Sequence, residues 1–383
     1  MSDTFFHGIE LIEINDGIRS FATVRSSVIG LIGTAPAADP ARFPLNVPVL
    51  ITSTTQIAGL GATGTLPAGF LGIYSQATPF IVVIRVEEGA DAAATQANVI
   101  GAVSPITGAR SGSYALQDAR SILRVTPRLL IAPGFTHIKA VTDALLLQAE
   151  KLKAMVIADE PNTTDIDATA YRGEFDNARL YIVDPMLRIS TASGESTVVA
   201  SPYVAGLIAA SDNERGFWWS PSNRVILGVN GPARPIAWAF NDPSVQANYL
   251  NENAIATIIH EDGYRLWGNR TAATDPRWTF FSVRRTADMI NESLIQAHLW
   301  AVDRNITRTY IDDVTGSVNA YLRRLKALGA VLGGKCYADP ELNTPENIAL
   351  GRVYFDFDFT APYPAERVTF RSHMVNDYLS EVL

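Results

Sequence analysis

The chain has 383 residues, 47% of them apolar, a single cysteine and a formal net charge of −8. At roughly 150 residues per domain this is a packed protein of two domains or one large one. Its composition excludes a disordered chain, a collagen-like repeat and a disulfide scaffold, and its acidic balance excludes phosphate-backbone binding as the main task. Residues 1 to about 20 set Ile9, Leu11, Ile12 and Ile14 among Glu10 and Glu13 before the turn Asn15-Asp16-Gly17. The pattern predicts a strand with no hairpin partner nearby, so its pairing is expected to be distant. Short β-rich runs follow at Val28–Ile32, Val47–Thr52, Phe80–Val86, Arg128–Ala132, Ala154–Ala158 and Leu180–Val183. Between two of them, Lys139–Lys153 carries Val141, Leu145, Ala149 and Leu152 at helical spacing. Continuous apolar strands alternating with amphipathic helices predict βαβ units and a sheet covered on both faces. The expected fold is therefore an α/β domain over residues 21–245.

Beyond about residue 245 the pattern changes to an α+β unit over 246–375. Ala287–Arg304 and Asp313–Ala327 read as amphipathic helices, the second with Val314, Val318, Tyr321, Leu322 and Leu325 in one stripe. In Arg352–Thr360, Val353, Phe355, Phe357 and Phe359 alternate with Tyr354, Asp356 and Asp358, the period of a half-buried strand. A further strand is expected at Arg367–Arg371, followed by a terminal segment, Val375–Leu383. The start of the chain lacks the basic and apolar regions of a secretion signal, and no apolar run approaches the roughly 18 residues of a membrane helix. A soluble, unexported protein is expected, with Cys336 as a small buried apolar residue.

Several motifs invite an enzymatic reading. Gly59-Leu60-Gly61-Ala62-Thr63-Gly64 matches G-x-G-x-x-G, but that motif works when a strand runs directly into the glycines and a helix leaves them. Here the preceding run ends near Thr52, and Ser53–Ala58 reads as a capped helical turn, so a plain Gly-rich loop is expected. No Walker A lysine, G-x-S-x-G elbow or H-E-x-x-H is present in the sequence. His260 beside Glu261 and Asp262, and Asp159, Glu160 and Asp184 at strand ends, are positions where α/β enzymes place acid–base groups. They are equally ordinary turn and element-end residues. The enzymatic alternative is an α/β hydrolase-like or nucleotide-dependent enzyme using those carboxylates.

More specific are the clusters Gly216-Phe217-Trp218-Trp219-Ser220-Pro221-Ser222-Asn223, Asp262–Thr271 with Tyr264, Arg265, Trp267 and Arg270, Trp300-Ala301-Val302-Asp303-Arg304, and Tyr337–Asn343. With the opening Phe5-Phe6-His7-Gly8 and the ending Tyr378-Leu379-Ser380-Glu381-Val382-Leu383, their order and spacing resemble the tail sheath proteins of contractile-tailed bacteriophages and R-type pyocins over essentially the whole chain. The resemblance implies a structural subunit, without cofactor, metal or catalytic residues. Such subunits form stacked hexameric rings around an inner tube and contract to drive it through a target envelope. Its implied partners are further copies of itself, the inner tail tube protein, and baseplate and tail terminator proteins, with no nucleic acid and no membrane contact. Its implied location is a virion tail or tail-like particle, assembled in the bacterial host cytoplasm.

The resemblance also implies that the N-terminal segment joins the C-terminal third in a tube-facing inner domain, while the α/β domain faces outward. Arms at both ends, residues 1–20 and 376–383, donate strands to neighbouring subunits. Ile9, Leu11, Ile12, Ile14, Tyr378, Leu379, Val382 and Leu383 are the candidate inter-subunit strand residues. Arg323, Arg324 and Lys326 are candidate contacts to an acidic tube. Arg265, Trp267 and Arg270 are of the residue types that dominate interface hot spots, or else pack internally. Charged residues make up only 18% of the chain, and of its 31 basic residues five are Lys and 26 Arg. Interfaces share this bias, which suggests extensive assembly.

Overall fold

The structure is a computed structural model and describes residues 21–378. The strands are β1 (Ile29–Thr34), β2 (Val49–Ile51), β3 (Ile81–Val86), β4 (Leu129–Ile131), β5 (Met155–Asp159), β6 (Leu180–Val183), β7 (Leu187–Thr191), β8 (Gly194–Val198), β9 (Arg224–Val225), β10 (Gly231–Pro232), β11 (Ile255–His260), β12 (Tyr264–Trp267), β13 (Gly333–Ala338) and β14 (Phe355–Thr360). The helices are α1 (Thr65–Tyr74), α2 (Ala92–Ile100), α3 (Ala119–Leu123), α4 (Lys139–Leu152), α5 (Asp165–Gly173), α6 (Ser201–Arg215), α7 (Gln246–Glu252), α8 (Phe281–Ala297), α9 (Arg308–Ala327) and α10 (Pro345–Ala349).

A nine-stranded sheet in the order β2-β3-β1-β4-β5-β6-β11-β12-β9 forms the body. Strands β3, β1, β4, β5, β6 and β11 run parallel, and β2, β12 and β9 are antiparallel to their neighbours. Each parallel strand is apolar on both faces because both faces are covered. Leu31, Val83, Ile131 and Ile157 pack with Leu66, Phe70 and Ile73 of α1 and Val204 and Ile208 of α6. On the other face Ile32, Val82, Leu130 and Val156 meet Val99 of α2 and Val141, Leu145 and Ala149 of α4. The sheet continues through β11 and β12, so the boundary expected at residue 245 is corrected. The run Ile255–Ile259 is as apolar as the earlier strands and is buried like them.

The C-terminal unit is built on α8 and α9. Helix α8 starts earlier than the expected Ala287, at Phe281, which packs with the sheet, while its Met289 and Ile290 join Tyr321 and Leu325 of α9. It ends at Ala297, and a short 3-10 turn over Leu299–Ala301 fills the remainder of the predicted helix. Residues 21–24 pack here too: Phe21 lies against Tyr321 at a ring-centroid distance of 4.4 Å, and Ser293 accepts from the Val24 amide at 3.1 Å. Strands β13 and β14 form a separate two-stranded antiparallel sheet whose Phe355, Phe357, Phe359 and Cys336 pack with Val318 and Leu322 of α9.

The two units are clamped by buried ion pairs along α8. Arg179, just before β6, pairs with Asp288, Arg128, just before β4, reaches Glu292 at 3.2 Å, and Arg285 binds Asp212 of α6 through two contacts of 2.5 and 2.7 Å. All six side chains are at most 10% exposed.

Candidate functional site: the assembly surfaces

The residues that invited an enzymatic reading have structural employment. Asp159, at the carboxyl end of β5, accepts from the Ser201 amide at 2.7 Å and from the Ser201 hydroxyl. A carboxylate in that position complements the amino-terminal end of α6. Burial outweighs these hydrogen bonds and pushes its pKa up to about 6. Glu160 and Asp184 form a buried carboxyl pair. Glu160 Oε2 and Asp184 Oδ1 have no other partner among the described residues, as when two carboxyls share one proton. Arg234 holds the other Asp184 oxygen and reaches Asp165 at 2.9 Å. Burial and the neighbouring Asp184 push Glu160 up to about 9. His260 is exposed at the end of β11 and stacks obliquely on Tyr264.

This pair gives the fold a pH dependence. Between the ordinary glutamate range and about 9, folded Glu160 keeps a proton that the unfolded chain has released. Stability therefore falls as pH rises through that window, and Asp159 adds a smaller slope of the same sign below about 6. The melting temperature is expected to drop by several degrees from pH 5 to pH 9, and Glu160→Gln is expected to flatten most of that slope in a differential scanning series. An unchanged slope in the variant would reject the shared proton.

The glycine loop also serves the fold. The segment before it is the predicted capped turn, a 3-10 helix over Thr54–Ile57 with a Ser53/Gln56 capping box. Gly64 has φ +93°, and a Cβ there would lie 2.3 Å from the Thr34 carbonyl oxygen. Gly61 is similarly pressed onto Ala37. The space a pyrophosphate would need is filled by the chain's own turn after β1.

The unpaired features lie in the C-terminal unit. In the two-stranded sheet, the edge of β13 is partly closed by Asn319 of α9. Its amide accepts from Cys336 N at 2.8 Å and donates to Cys336 O at 2.9 Å, as a neighbouring strand would. The outer edge of β14 has no strand beside it among the described residues. Such an edge is a template for an additional strand. After β14 the chain runs without secondary structure from Ala361 to Val375, so the strand expected at Arg367–Arg371 does not form here. Val368, Phe370, Met374 and Tyr378 stand exposed along it, Phe370 at 92%. The run is tethered near its base, where Glu366 takes a bidentate grip from Arg270 at 2.7 and 2.7 Å. This exposed segment begins well before the Asn376 expected from sequence. Of the candidate strand residues only Tyr378 can be described; Ile9, Leu11, Ile12, Ile14, Leu379, Val382 and Leu383 lie outside the described residues.

Arg323, Arg324 and Lys326 are exposed on the last turn of α9, and none forms an ion pair among the described residues. Arg324 donates to the Phe21 carbonyl at 3.4 Å, which places the exit of the N-terminal segment beside this basic turn. Arg265, Trp267 and Arg270 do not converge on one bare patch. Arg265 donates to the Glu261 and Asn223 carbonyls, Trp267 packs edge-on against Trp238 at 5.8 Å, and Arg270 holds Glu366.

Residues 108–272 match the phage tail sheath protein central domain, and residues 273–374 the phage tail sheath C-terminal domain. A putative prophage major tail sheath protein of Pseudomonas aeruginosa (strain UCBPP-PA14) is 43% identical over 99% of both chains. The tail sheath protein of Escherichia phage P2 is 35% identical over 100% of this chain and 98% of its own. The fold is shared with the helical sheath of the anti-feeding prophage in its contracted state, with a TM-score of 0.74 and 20% identity over 96% of this chain and 99% of that one. It is also shared with the contracted sheath of the PVC extracellular contractile injection system, with a TM-score of 0.71 and 17% identity over 98% and 99% of the two chains. The chain belongs to the phage tail sheath proteins, a family of structural subunits rather than enzymes.

Proposed function

We propose that this sheath subunit polymerises as stacked hexameric rings around an inner tail tube and contracts to drive that tube through a target envelope. The observation that carries the reading is the open edge of β14 beside an exposed C-terminal segment with bare apolar side chains. Among the described residues both features are incomplete, and strand donation between copies completes both. Main-chain hydrogen bonds then supply the affinity, and the alternating side chains set the register. The α8–α9 unit faces the tube and the α/β unit faces outward. Contraction can run without chemical fuel if it buries more apolar surface: on the order of 400 Å² more per subunit would correspond to about 10 kcal/mol before entropic costs.

In this reading Arg323, Arg324 and Lys326 dock on an acidic tube surface. Arg323→Glu with Arg324→Glu is expected to leave self-polymerisation intact while weakening co-sedimentation with the tube protein by about tenfold or more at low salt. Unchanged tube binding at low salt would remove α9 from the tube interface. Failure of the wild-type chain to form tubes with its tube protein, as seen by electron microscopy, would overturn the functional reading as a whole.

A further inference from the structure

Charge is segregated along the parallel strands of the large sheet. At their amino-terminal end a cleft of about 570 Å³ opens between the N-terminal segment, the α3 turn and the end of α8. Arg25, Arg120, Arg124 and Arg128 line it, and no carboxylate does. Arg25 is fixed over the Phe80 ring at 4.4 Å, and Phe80, Val28 and Arg128 immediately precede β3, β1 and β4. Glu292 sits behind the cleft, 3.2 Å from Arg128 and 3.7 Å from Arg120. Arg25 and Arg124 have no ion pair among the described residues, and the Arg128 Nε is buried without a partner. Several guanidinium groups thus face one opening with a single carboxylate behind them, an arrangement that calls for an anion.

The opposite end of the same strands is acidic. Glu87 and Glu88 follow β3 directly, are exposed, and make no side-chain hydrogen bond or ion pair among the described residues. The six residues of β3 separate the two features by about 20 Å, so the loop of one chain cannot enter its own cleft. Complementary patches at opposite ends of one molecule meet head to tail between copies. Such heterologous contacts close into rings or run on as helices.

We propose that the arginine cleft receives the Glu87–Glu88 loop of a second copy of this chain. The inference rests on the reading that the chain polymerises with itself. The test compares four chains by sedimentation and electron microscopy at about 0.1 M salt, where exposed charges still act over about 10 Å. They are wild type, Glu87→Lys with Glu88→Lys, Arg120→Glu with Arg124→Glu, and the chain carrying all four changes. Each double reversal is expected to raise the concentration needed for polymerisation by about tenfold or more, and the combined chain is expected to regain most of the loss. Melting temperatures check folding, and Arg124→Glu alone serves if the pair unsettles α3. Loss with the arginine reversal but not with the glutamate reversal would assign the cleft to another acidic partner and overturn the proposal. So would two damaging reversals with no mutual rescue, or polymerisation of all four chains at the wild-type concentration. A wild-type chain that never polymerises would count against the sheath reading as well, whereas the other failures leave that reading standing.

Discussion

Deleting Met1–Gly17 or Asn376–Leu383 is expected to yield a folded chain that no longer forms a sheath. Neither deletion removes a residue of the core clusters formed by the described residues. Every residue of the two clusters that sandwich the nine-stranded sheet lies between Val28 and Phe281, and Phe21 and Val24, which pack against the α8–α9 cluster, are retained. The melting temperature should therefore change little. Assembly should fail if, as proposed, each arm supplies a strand to another copy's sheet, because contacts between many copies act as a multivalent system in which losing one link costs far more than its own contact area. Electron microscopy and sedimentation of each truncation beside the intact chain check the expectation. Tubes of normal length from either truncation would reject strand donation by that arm.

Asp288→Ala is expected to be the most damaging single substitution to stability, costing about 3–5 kcal/mol. Asp288 is 1% exposed and serves two guanidinium groups: Arg179, whose Nη2 lies 2.9 Å away, and Arg284 at 2.5 Å. Removing it leaves Arg179 buried, with only the partly exposed Glu150 at 3.1 Å as its counter-charge. Arg179→Met combined with Asp288→Leu should recover much of the loss, because an apolar pair of similar volume leaves no stranded charge. Chemical denaturation of the wild-type chain and the two variants measures this. If the double variant is as unstable as Asp288→Ala, the damage comes from lost packing rather than from an unpaired buried cation. The same clamp joins α8 to the sheet, so its loss should loosen the C-terminal unit first, with hydrogen exchange in α8 and α9 rising ahead of exchange in β1 and β3.

The parallel strands from β1 to β6 are legible in the sequence because burial on both faces writes them as unbroken apolar runs bounded by Gly, Pro and Asp. Helix α4 and strand β14 are legible because one buried face imposes a period, 3.6 in one and 2 in the other. The extension of the sheet through β11 and β12 is obscured by the irregular stretch from Arg224 to Val245, which contributes only the two-residue strands β9 and β10. The signal is present in Ile255, Ile258 and Ile259, followed by the Asp262-Gly263 turn. Strand-end positions are likewise visible for Asp159 and Asp184. Their partners Ser201 and Arg234 stand 42 and 50 residues away, and no local pattern announces those contacts.

The arginine bias receives a second physical cause from the structure. Arg85, Arg128, Arg179 and Arg285 are buried within the chain. Arg85, for example, donates to the Phe43 carbonyl at 2.6 Å and to the Ala35 carbonyl at 3.3 Å. A planar, always-charged fork suits such sites where Lys does not. Under the proposed assembly, interface use falls to the arginines without an internal carboxylate partner among the described residues, such as Arg25, Arg124, Arg323 and Arg324.

Whether copies of this chain complete one another by exchanging strands can be seen by electron cryo-microscopy of the assembled particle at a resolution that traces the main chain. A strand from a neighbouring copy is expected to be hydrogen-bonded along the outer edge of Phe355–Thr360, with the segment after Ala361 crossing into another subunit. A β14 edge left bare in the assembly, or both terminal segments folded back onto their own chain, would contradict it.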